Sequence, residues 1–82
     1  MRFLLSFITV EPALKHRKIF GETIRSRRKV LDMSQEKLAE KAELHHNYIG
    51  EIERGEKAAS IDTIVKIAKA LRVRVGDLFS DV

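Results

Sequence analysis

The sequence predicts an all-α fold of five short helices joined by tight turns, with a short N-terminal extension read as a β-strand. Three observations predict it. Glycine and proline are scarce, at four and one in 82 residues. Apolar residues recur at helical spacing, most densely as Ile61, Ile64, Ile67, Ala68 and Leu71. Ser34 and Ser60 each stand one residue before such a pattern, where a hydroxyl can cap a helix.

Composition narrows the class further. A chain of 82 residues makes one small core, near the lower size at which such a core holds without staples. Cysteine is absent, which excludes disulfides and thiolate metal sites. Hydrophobic residues at 44% and charged residues at 34% suit a globular chain rather than a disordered one. The net charge of +4 suits a polyanionic partner but does not select one.

Two segments are expected, residues 1–11 as an extension and residues 12–82 as the domain proper. The run from Phe3 to Val10 is too short to span a bilayer. Arg2 before an apolar run resembles a signal peptide, but no small-residue cleavage site follows. Alternation of Phe3, Leu5 and Phe7 with Leu4, Ser6 and Ile8 reads as a strand. Its natural partner would be the same segment of a second copy, as an antiparallel ribbon. The other reading is a dimer through the fourth and fifth helices, with the N-terminus packed alongside.

Pro12 sets a first helical position, and a helix is expected from Ala13 to Leu31. Its apolar stripe is Leu14, Ile19, Phe20, Ile24 and Leu31, with Gly21 as a weak point. Ser34 caps a second helix, Gln35 to Ala42, whose inward residues are Leu38, Ala39 and Ala42. A turn of Glu43, Leu44 and His45 leads to a third helix, about His46 to Arg54, stopped by Gly55. Ser60 caps the fourth, Ile61 to Leu71, and the fifth covers about Val75 to Phe79.

The second and third helices carry the functional signal. Two short helices meet across a three-residue turn, a geometry that suits a helix-turn-helix. Leu44, Ile49 and Ile52 would anchor the third helix, leaving His46, Asn47, Gly50, Glu51 and Arg54 outward. A helix anchored on one face and polar at its N-terminal end can enter a major groove.

With Ile24-Arg25, Ser34-Gln35, Leu38-Ala39, Tyr48-Ile49, Ile52-Glu53-Arg54-Gly55 and Ile67-Ala68-Lys69-Ala70-Leu71, the chain resembles the Cro/repressor-type (XRE-like) helix-turn-helix family. The resemblance runs from Ile19 to Phe79. The run Tyr48-Ile49-x-x-Ile52-Glu53-Arg54-Gly55 is also similar to that of restriction–modification controller proteins, and many other small repressors share it.

The resemblance implies a five-helix repressor-like domain and a role for each of several residues. His46, Asn47 and Glu51 would read base edges; asparagine can bond adenine in a bidentate manner, and glutamate can accept from cytosine. Gln35, Tyr48, Arg54 and Lys57 would hold phosphates, Gln35 with the help of its helix N-terminus. Arg28 and Glu53 would pair as a structural ion pair, buried between the first and third helices or exposed. Three positions depart from the family pattern. Glu43 replaces a left-handed glycine, a strain of roughly 1–2 kcal/mol. Arg27 replaces a leucine, and Glu43 and Glu51 bring negative charge to the DNA side.

The implied function is sequence-specific binding of double-stranded DNA by a homodimer on a palindromic operator, regulating transcription in the cytoplasm. No catalytic constellation, cofactor or metal is expected, and no membrane partner. Adjacent His45 and His46 point in different directions and chelate poorly together. The basic residues Arg25, Arg27, Arg28 and Lys29 read equally as a solvated face. Two rival readings use the same fold differently: an antitoxin-like module that binds a toxin or another protein, and a surface-associated protein held by its apolar N-terminus.

Overall fold

A computed structural model describes residues 2–82, with side chains described from Leu14 onward. Four α-helices follow one another: α1 (Arg2–Val30), α2 (Gln35–Ala42), α3 (His46–Glu53) and α4 (Ile61–Leu71). A single 3₁₀ helix, η1 (Val75–Phe79), ends the fold. It occupies the stretch expected as a fifth helix. A segment of five residues is too short to profit from α geometry, and 3₁₀ turns serve as such short closures.

The strand expected over Phe3–Val10 is corrected. Residues 2–10 belong to α1, which continues through Pro12 and across the expected boundary between residues 11 and 12. A single strand would leave its N–H and C=O groups without partners, whereas a helix pairs them within itself. No strand occurs among the described residues.

The core is one cluster drawn from every element. Phe20 and Ile24 come from α1, Leu38, Ala39 and Ala42 from α2, Ile49 and Ile52 from α3, Ile67, Ala68 and Leu71 from α4, and Leu78 from η1. Phe20 stacks on Phe79 with ring centroids 5.0 Å apart, tying α1 to the end of the chain. Ser34 and Ser60 cap α2 and α4, accepting from the N–H groups of Lys37 at 3.0 Å and Thr63 at 3.2 Å.

The apolar stripes end sooner than their periodicity suggests. Ile61 is 79% exposed, and Leu14 and Leu31 are also exposed. Ile61 opens α4, ahead of Ile67, the first residue of that helix in the hydrophobic core. Spacing sets the face of a helix but not how far along it the core extends.

Gly21 has a role that composition does not show. A Cβ there would meet the carbonyl oxygen of Ile52 and lie 2.6 Å from that of Glu53. The missing side chain therefore lets α1 cross the end of α3 backbone to backbone. Gly55 combines a φ of +75° with contact against Lys18 of α1, so α3 ends in a left-handed turn pressed on the same helix.

Candidate nucleic-acid interface

The turn between α2 and α3 is built from their caps. Glu43 takes φ 57°, in the left-handed region, and closes α2. The N–H of Leu44 then donates to the carbonyl of Ala39 at 2.8 Å. His45 is the N-cap of α3, its Nδ1 accepting from the N–H of Asn47 at 3.2 Å. The His45 and His46 rings do not diverge as adjacency within a helix predicts but stack, with centroids 4.7 Å apart, because His45 is an extended cap outside α3.

Helix α3 is held on one side by packing and at one end by charge. Ile49 and Ile52 are fully buried, and Glu53 beside them is 7% exposed. Arg28 of α1 grips Glu53 through two bonds, Nε to Oε2 at 2.7 Å and Nη2 to Oε1 at 3.0 Å. Its Nη1 donates to the carbonyl of Met33 at 2.8 Å, and Gln35 Nε2 donates to Glu53 Oε1 at 3.0 Å. The buried carboxylate is thus satisfied from α1 and α2 together. No buried side-chain polar atom lacks a partner among the described residues.

The other face of α3 is open. His46 and Asn47 are exposed in its first turn, and Glu51 is half-buried a turn later. Gly50, expected on the outer face, is buried. A Cβ on it would lie 3.1 Å from Arg54 Nη1 and 3.5 Å from Gln35 Oε1, so both side chains fold over it.

The residues expected at phosphates are engaged within the chain. Gln35 sits at the start of α2 with its amide on Glu53; the first-turn N–H groups of α2 beside it have no intrahelical acceptor. Tyr48 donates its hydroxyl to the carbonyl of Ala58 at 3.5 Å. Lys57 lies 3.4 Å from Glu51. Arg54 meets both carboxylate oxygens of Glu56, Nε to Oε2 at 2.6 Å and Nη2 to Oε1 at 3.1 Å. Hydrogen bonding to Glu56, then its charge, raises the guanidinium above its ordinary pKa; the bond to Arg54 lowers the Glu56 carboxyl below its own.

Two contributors escape the sequence pattern. His45 is not a favoured capping residue, so nothing marked it as the N-cap of α3. Glu56 follows Arg54 by two positions, and opposite charges at that spacing meet only when the loop turns back. Among the described residues no group of three or more histidine, aspartate or glutamate side chains gathers as metal ligands would.

A family profile described as Helix-turn-helix matches residues 24–78, the span that contains the buried pair and both helices of the turn. The chain belongs to this helix-turn-helix family. Several of its relatives are narrower in kind. Control protein C.BamHI of Bacillus amyloliquefaciens is 49% identical over 63 residues, covering 76% of this chain and 78% of its own length. Control protein C.SmaI of Serratia marcescens is 41% identical over 64 residues, 78% of this chain and 76% of that relative. The crystal structure of the restriction–modification controller protein C.AhdI from Aeromonas hydrophila matches with a TM-score of 0.76 and 36% identity. It covers 77% of this helix-turn-helix chain and 96% of that structure. No helix among the described residues is long and apolar enough to cross a membrane.

Proposed function

We propose that this helix-turn-helix chain is a homodimeric regulator of transcription that binds a specific palindromic duplex, in the manner of a restriction–modification controller. One observation carries the reading. Helix α3 is locked by Ile49, Ile52 and the Arg28–Glu53 pair, while His46 and Asn47 stand exposed at its N-terminal end. A rigid helix with polar residues leading is what major-groove readout requires.

In this reading His46, Asn47 and Glu51 contact bases. The start of α2 at Gln35, with Tyr48, Arg54 and Lys57, positions the phosphates on either side. Phosphate contacts supply most of the affinity, and the few base contacts supply the choice of sequence.

Exposed apolar residues support the dimer. Ile61 is 79% exposed, Phe79 40% and Val82 47%. Ile64, Phe79 and Val82 line one groove with Phe20 and Ala59, and Ile61 lies one turn before Ile64 on α4. A second copy across a twofold axis covers such a patch and sets two α3 helices to meet successive major grooves.

Binding of duplex DNA measured across a salt series, with sedimentation to give the mass of free and bound protein, tests the reading. Dimeric mass and a linear fall of log affinity with log salt are expected. A monomer, or affinity indifferent to salt, would overturn it.

A further inference from the structure

Arg54 does not reach out from the interface. Its guanidinium lies back over Gly50, 3.1 Å from where a Cβ would stand, and Glu56 occupies its Nε and Nη2 edge. A guanidinium offers carboxylate and phosphate the same planar fork, and one edge cannot serve both at once. Lys57 lies 3.4 Å from Glu51 in a looser, single-contact pair, so two cations on this side of α3 are each matched by an acid of the same chain.

We infer that Glu56 is a built-in competitor for DNA phosphate at Arg54, setting how tightly the protein holds any duplex. The inference rests on the DNA-binding reading above and adds a residue that the reading does not assign. Glu56 and Arg54 are both more than half exposed, at 53% and 58% of their side chains, so their pair is weak and exchangeable. A phosphate brought alongside can displace the carboxylate, but the exchange returns less than the capture of a free arginine would. Because phosphates carry no sequence information, the restraint acts on specific and random duplexes alike.

Glu56→Gln keeps the size of the side chain and removes its charge. It is expected to raise affinity for a random-sequence duplex roughly 2- to 5-fold at about 0.1 M salt, the range that loss of an exposed ion pair allows. The log–log salt slope should stay as in wild type, because Arg54 neutralises the same phosphate in both proteins once the carboxylate is displaced. Glu22→Gln, an exposed α1 residue lining the cleft beside Asp77 and Ser80, controls for net charge alone. In the double variant Arg54→Ala/Glu56→Gln the gain should vanish. An unchanged thermal midpoint for Glu56→Gln shows that the fold is retained. A gain no larger than that of Glu22→Gln, or one that survives Arg54→Ala, overturns the inference. A wild-type chain that binds no duplex at low salt would instead remove the reading beneath it.

Discussion

Arg28 and Glu53 lie 25 residues apart, yet both oxygens of the Glu53 carboxylate are bonded by the Arg28 guanidinium, at 2.7 and 3.0 Å. With side chains only 10% and 3% exposed, the pair sits where α1 crosses α3 and where Gln35 begins α2. It therefore fixes the orientation of the outward helix relative to the rest of the domain.

Removing one member of this pair leaves the other buried and unpaired, so Arg28→Ala should cost about 3–5 kcal/mol. Replacing both residues with apolar side chains of similar volume should cost much less, since no charge is then stranded. Urea unfolding of the single and double variants measures the difference. A loss below about 1 kcal/mol for Arg28→Ala would show that solvent already screens the pair.

Gly21→Ala introduces a Cβ against the carbonyl oxygens of Ile52 and Glu53. The gain in helix propensity, about 1 kcal/mol, is outweighed by overpacking of roughly 1–3 kcal/mol against backbone that cannot rotate away. Gly76→Ala meets nothing within 4 Å and should be neutral or slightly stabilising. Thermal unfolding of the two variants should move in opposite directions or differ by several degrees.

Glu43 holds a left-handed φ of 57° at the end of α2. Glu43→Gly should stabilise the fold by about 1 kcal/mol through relief of the Cβ conflict. A lower thermal midpoint would mean that the Glu43 side chain stabilises the turn in some way beyond its backbone.

His45 caps α3 through Nδ1, an acceptor that alanine lacks. His45→Ala should destabilise the protein by about 1 kcal/mol, and His45→Ser should restore most of that loss. Amide hydrogen exchange at the start of α3 should rise in the alanine variant and return towards wild type in the serine variant. Equal exchange in all three would leave the cap without energetic weight.

Much of this organisation is legible in the sequence. Ser34 and Ser60 marked two helix starts because a capping hydroxyl must precede an apolar pattern by one position. Ile49 and Ile52 marked the inner face of α3. The segment Phe3–Val10 reads as a strand although it is helical, because nearly every residue there is apolar or β-branched and periods of 2 and 3.6 fit it equally well. Gly21 read as a weak point because its value lies in what crosses it, and a helix's own residues do not name its neighbour. At the site, the exposed places of His46 and Asn47 followed from spacing. The engagement of Arg54 by Glu56 depends on the path of a loop, which spacing does not specify.

Selection of binding sites from a randomised duplex pool at fixed salt, by wild-type protein and by Asn47→Ala, tests the central claim most directly. Wild-type protein should enrich an inverted repeat with half-site centres about 34 Å apart. Asn47→Ala should relax the choice at one base pair in each half-site, by about 1–3 kcal/mol. A pool that stays random, or a preference that Asn47→Ala leaves untouched, would contradict the account of α3 as the reading helix.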